Sequence, residues 1–126
     1  MENKSASNWR KAPPENELFF EEILKEHPDA EKRRMFGYPC AFIHGNMFFG
    51  LFQESVFLRL SESDRVEIIR SGEAALFEPM PGKPMKEYVA LSPITVSDEE
   101  KFKNWFSKSI TYAASLPEKE KKGGKK

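Results

Sequence analysis

The chain has 126 residues, a single cysteine and 20 acidic against 20 basic side chains. That length suits one domain with one apolar core, and a lone cysteine excludes an internal disulfide. The longest apolar run, residues 47–52, is far too short for a membrane span of about 20 residues.

Residues 1–14 are polar, end in Pro13-Pro14 and read as a flexible arm, in which Trp9 is an indole expected to dock on the domain. Met1-Glu2-Asn3-Lys4-Ser5 leads into no apolar stretch, so no secretory signal is expected and the chain reads as cytoplasmic. The first helix is expected over 15–27, with Leu18, Phe19, Ile23 and Leu24 at helical spacing and Pro28 as its stop. A polar connector through Lys32, Arg33 and Arg34 then leads to two apolar strands around 35–51. These meet at Gly45-Asn46, a Gly-first pair that suits a type II′ turn.

After a turn at Gln53-Glu54-Ser55, the alternation of 56–60 predicts a third strand with Val56, Leu58 and Leu60 on one face. Ser61 or Ser63 caps a helix to about Arg70, with Val66 and Ile69 inward and Gly72 as its stop. A short strand follows near 76–78, then a proline-rich turn over 79–84 and a last strand over 85–91. Ser97-Asp98-Glu99-Glu100 reads as a capping box with Ser97 as cap. The helix it opens carries Phe102, Trp105, Phe106, Ile110 and Ala113 on one stripe and stops at Pro117. The lysine-rich tail 118–126 is low-complexity and is expected to be disordered.

The order is α-β-β-β-α-β-β-α, with residues 15–117 as the folded domain. Strands in series imply an antiparallel sheet of about five strands with helices as a second layer, a two-layer α+β sandwich. The strands place Phe36, Phe42, Phe48, Phe49, Leu51 and Phe52 on both sheet faces. An apolar sheet face left in water marks an interface. The candidate surface is therefore Phe48, Phe49, Leu51 and Phe57, offered to a second copy or another protein. The alternative is that the first helix and the arm cover the second face.

Chemistry-bearing residues are sparse. Cys40 and His44 are about 13 Å apart along a strand at 3.3 Å per residue, beyond hydrogen-bond reach. With His27 they still lack a fourth metal ligand. The carboxylates fall on helix surfaces, and no apolar-set pair suggests acid–base work. No enzyme activity, cofactor or metal is expected. Arg33, Arg34, Lys83 and Lys86 are the candidate anion contacts, against the plainer readings of a solvated connector and a tight turn at Gly82. After Pro117 five lysines outweigh two glutamates, which leaves residues 1–117 at −3. Seven acids face one lysine in 15–31. That balance is a poor surface for a polyanion.

Arg34-Met35-Phe36-Gly37, then Gly45-Asn46-Met47-Phe48, then Gly82-Lys83-Pro84-Met85 occur in an order and spacing that resemble the TfoX N-terminal domain family, over about residues 15–116. The variant from Phe77 to Tyr88 is similar to a stand-alone, single-domain branch. The resemblance implies an α+β fold like that of secretion-chaperone-like domains, and a family whose namesake regulates natural competence. Met35-Phe36-Gly37 and Gly45 then read as folding residues, with Phe36 filling the core. The expected function is a non-enzymatic protein-interaction module. The alternatives are a transcription-associated nucleic-acid binder using the lysine tail with Arg33, Arg34 and Lys83, or a small-molecule site around Lys83 and Tyr88.

Overall fold

A computed structural model describes residues 11–118. Most of the arm, Trp9 included, and most of the lysine tail lie outside the described residues. The elements in chain order are α1 (Pro14–Lys25), β1 (Glu31–Met35), β2 (Tyr38–Ile43), β3 (Asn46–Phe52), β4 (Ser55–Arg59), α2 (Glu62–Arg70), β5 (Ala74–Leu76), β6 (Tyr88–Leu91), α3 (Pro93–Ser97) and α4 (Glu99–Ser115). The strands form one antiparallel sheet in the order β1-β2-β3-β4-β6-β5. The α+β order matches expectation, with six strands instead of five. No helix among the described residues is long and apolar enough to cross a membrane.

The additional strand is β1, whose sequence Glu-Lys-Arg-Arg-Met reads as a polar connector. It lies at the sheet edge and pairs with β2 from Glu31↔Phe42 to Met35↔Tyr38. An edge strand needs backbone partners on one side only, so its side chains are free to be charged. Two tight hairpins bound β2. Phe36-Gly37 and His44-Gly45 have positive φ at both turn positions (57° and 84°; 52° and 79°), as a type I′ turn requires. The second turn thus lies one residue earlier than Gly45-Asn46, and Asn46 belongs to β3. Asn46 is buried, and its Nδ2 donates to Pro117 O at 3.1 Å, tying this hairpin to the end of α4.

A register shift between Ala41 and Phe42 leaves Phe48 without an opposite residue: Ala41 faces Phe49 and Phe42 faces Met47. The bulge turns Phe48 and Phe49 toward the same helix, with ring centroids 5.6 Å and 5.0 Å from Phe106. The Ser109 hydroxyl of α4 is buried within reach of Phe48 O (3.0 Å) and Arg59 O (2.7 Å), and donates to one at a time.

Helices α1 and α4 cover one face of the sheet, because Phe49 stacks on Phe20 of α1 at 4.8 Å and meets Phe106 of α4 edge-on. Spacing alone cannot tell a helix stripe from its neighbour one residue round, and two of the expected stripes are rotated in this way. Phe20 of α1 is fully buried while Leu18 is exposed; Ile68 of α2 is buried while Val66 and Ile69 are exposed. Gly72 ends α2 as expected, with its N–H on Ile69 O and that of Glu73 on Ile68 O. Ser97 is the last residue of α3, a helix opened by Ser92 and Pro93, and the cap of α4 is Asp98, which accepts from Lys101 N at 3.1 Å. The α4 stripe is as expected: Phe102, Trp105, Phe106 and Ala113 are buried and Ile110 is half-buried.

The opposite face of the sheet is covered by the connection from β5 to β6, residues 77–87. Phe77 stacks on Phe57 at 4.5 Å and meets Phe52 edge-on at 5.6 Å. This connection, with Pro79, Pro81 and Pro84, shortens the expected last strand to 88–91 and moves β5 to 74–76. α1 therefore does not cover the second face; it shares the first with α4.

Candidate functional site

Phe48, Phe49, Leu51 and Phe57, expected as an exposed interaction surface, are each 0 % exposed. The bulge, two helices and Phe77 enclose them, so their apolar area is spent inside the chain. Phe36 departs in the other direction. It sits at the tip of the β1–β2 turn, 46 % exposed, and does not fill the core. A phenylalanine at φ 57° costs about 1–2 kcal/mol relative to an ordinary backbone conformation.

The four candidate anion contacts are not brought together. Arg33 and Arg34 lie on β1, at one edge of the sheet. The Arg33 guanidinium pairs with Glu31 at 3.1 Å and lies 4.3 Å above the Phe42 ring, and Arg34 Nη1 donates to Gly37 O. Lys83 and Lys86 are exposed in the connection that leaves β5 at the other edge, and Lys83 N closes a turn on Met80 O. Cys40 is buried, and burial pushes its thiol up to about 11 against the opposing pull of Arg33 and Arg34. A thiol so placed is a poor nucleophile. Among the described residues no three His, Cys, Asp or Glu side chains are grouped to hold a metal ion.

A polar cluster that the sequence does not announce joins β4, the 77–87 connection and α4. Arg59 donates from Nε (2.8 Å) and Nη2 (2.7 Å) to Glu87 Oε1, and its guanidinium lies 5.5 Å from the Tyr88 ring and 5.9 Å from that of Tyr112. Glu87 has φ 78°, a conformation rare for a side chain of its size. Burial works to raise its carboxyl, but the Arg59 hydrogen bond and charge, with Tyr112 and Arg65, outweigh it and hold it below its usual value. Burial pushes the Tyr88 hydroxyl up to about 12, and that group donates to Met47 O at 2.9 Å. With its hydroxyl held on a carbonyl and its carboxylate clamped by a guanidinium, the cluster is a latch for the connection.

The latch has a signed pH dependence. A folded carboxyl below its ordinary 4.5 contributes stability that is complete above that value and is lost as acid titrates through the folded value. Glu87→Gln is therefore expected to be less stable than the parent at pH 7, and the gap should narrow toward pH 3, as read by denaturant midpoints. A gap independent of pH would remove the ionic role of Glu87.

An apolar groove runs between α1 and α4. Two adjoining clefts of about 360 and 320 Å³ share Ile23, Glu26, Phe102 and Lys103. Phe19, Phe106, Ile110 and Val96 extend the apolar floor, with Phe19 edge-on to Phe102 at 4.8 Å and the His27 ring 4.9 Å from Phe106. Glu22, Glu26 and Glu99 stand on the rim; its lysine, Lys103, is held by Glu99 at 3.1 Å. The rim is net acidic. The sequence shows each half of this groove as an ordinary amphipathic stripe, and only the tertiary packing sets residues near 23 beside residues near 106.

The family model described as the TfoX N-terminal domain matches residues 22–113, from the second half of α1 almost to the end of α4. No curated protein and no solved structure matches the chain.

Proposed function

The chain belongs to the TfoX N-terminal domain family, and from that premise we propose that it is a regulator-like module working by protein contact, without catalysis, through the α1–α4 groove. One observation carries this reading: half-buried Phe19, Ile23 and Ile110, seated over the buried rings of Phe102 and Phe106, line a groove between two helices with an acidic rim. A groove of this form takes the apolar face of an amphipathic helix, read as anchors at helical spacing. The rim selects its chemistry. Glu22, Glu26 and Glu99 favour a segment with lysine or arginine beside its apolar anchors, and they disfavour a polyanion. The chain's own tail, residues 118–126, has no apolar side chain and so does not supply this segment. A second copy docked through Phe48, Phe49, Leu51 and Phe57 is not the reading favoured here, since those side chains are enclosed.

The test is a display library of helical peptides selected on the full chain, with Ile110→Glu and Ile23→Glu as controls. Both residues are half-buried, so these variants are expected to keep the parent circular dichroism spectrum. Enriched peptides should carry apolar anchors three or four residues apart with basic flanks, and should lose at least about tenfold in affinity on either variant, the size of one buried charge set against an apolar anchor. Enrichment of acidic peptides, or binding unchanged by both variants, would overturn the reading.

A further inference from the structure

Helix α2 turns an apolar pair outward. Ile68 is its buried side chain, while Val66 and Ile69 are 57 % and 38 % exposed. Valine and isoleucine are weaker helix formers than the residues that usually fill exposed helix positions, so they do not serve the helix itself. Leu76, 54 % exposed on neighbouring β5, adds apolar surface at the same margin of the sheet. Glu62, Val66 and Arg70 follow one another at four-residue spacing and so form a single ridge with Val66 at its centre. Both charged ends of the ridge are exposed, and neither forms an ion pair among the described residues. None of these residues lines the α1–α4 groove.

We propose that a second copy of the chain docks on this face, α2 against α2 in antiparallel sense about a two-fold axis at Val66. Symmetry favours this arrangement. At 1.5 Å of rise per residue, Glu62 and Arg70 lie about 6 Å along the helix from Val66, on opposite sides of it. A two-fold axis through Val66 therefore sets Glu62 of each copy over Arg70 of the other, and both unpaired charges gain a partner in one step. The same operation brings the two Val66 side chains together with Ile69 beside them, which removes apolar surface from water. Parallel helices would set Glu62 on Glu62 and Arg70 on Arg70, so charge selects the antiparallel pair. A ridge with opposite charges at equal distances from an apolar centre is its own complement, which points to a second copy over any other protein. The formal net charge of zero lets copies approach without long-range repulsion. Two nine-residue helices cover less than the roughly 1,200 Å² of a standard interface, so the dimer is transient, formed at concentrations on the order of 100 µM.

The test is sedimentation velocity on the full chain, from about 10 µM to about 1 mM. The weight-average coefficient of the parent is expected to rise toward that of a dimer. Glu62→Arg and Arg70→Glu each set like charges against each other at both ends of the ridge, and each should weaken association at least about tenfold. Val66→Lys places like charges on the axis itself and should do the same. The double variant Glu62→Arg with Arg70→Glu has the net charge of the parent and should recover its association. All three positions are exposed, so every variant is expected to keep the parent circular dichroism spectrum. A parent that sediments as a monomer throughout would overturn the proposal and leave the face to a different protein. Association unmoved by the three single changes would place the dimer on another surface. A double variant no tighter than the single ones would rule out the antiparallel register. Either of these results overturns the proposal equally.

Discussion

Phe49→Ala is expected to lower the unfolding free energy by about 3–5 kcal/mol, the range for truncating a fully buried phenylalanine. Its ring is the point where three elements meet: stacked on Phe20 at 4.8 Å, edge-on to Phe106 at 5.0 Å and 6.0 Å from Phe102. Removal leaves a cavity that strand β3 and both helices would have to close together. A small domain has about 5–15 kcal/mol in total, so this one change removes a large share of it. Urea unfolding followed by far-ultraviolet circular dichroism reads the effect directly. A midpoint equal to the parent's would show that Phe49 is not the hub described. Phe49→Glu acts on the same ring with a buried charge added, so a change of solution mass in that variant reports unfolding, not a lost docking surface.

The second large effect is expected from adding a single carbon. A Cβ at Gly50 would lie 2.5 Å from Phe57 Cζ, 2.9 Å from Phe57 Cε2 and 3.0 Å from Cys40 Cβ. The conformation of Gly50 is not the issue, since its φ is not positive; the obstacle is the Phe57 ring, which cannot swing aside because Phe77 stacks on it at 4.5 Å. Overpacking of this kind costs about 1–3 kcal/mol. Gly50→Ala should therefore lower the denaturation midpoint, and Phe57→Leu placed in the same chain should recover part of the loss relative to the sum of the two single changes. Strict additivity of the pair would mean that the two residues do not meet.

What the sequence revealed followed from periodicity. The paired apolar runs around Gly45, the stripe from Phe102 to Ala113 and the Gly72 stop each bear a local signature, and each is where expected within a residue or two. The misses share a cause as well. Glu31–Met35 is a strand without a strand's apolar pattern, because an edge position does not demand one. The bulge at Phe48 breaks the alternation that assigns side chains to faces, so two phenylalanines counted on opposite faces share one. Ser97 and Asp98 both resemble caps, and Pro93 decides between them by starting a short helix that Ser97 ends. The four core residues proposed as a surface were identified correctly as strongly apolar, but their covers are distant in sequence: Phe20, Phe77, Phe102 and Phe106. The α1–α4 groove was invisible for the same reason, since each wall is an unremarkable helix until the two are set side by side.

The two margins of the sheet have a consequence for how copies of this protein meet when crowded. At one margin, β1 carries Glu31, Lys32, Arg33 and Arg34 along the sheet edge, and Lys32 is ion-paired with Glu21. At the other, β5 offers only three residues, Ala74–Leu76, before the chain turns away into the proline-bearing connection. A newcomer strand would have to displace charged, ion-paired side chains at the first and would run out of template at the second. Extension of the sheet from molecule to molecule, the route to fibrous aggregates, is thus disfavoured at both margins.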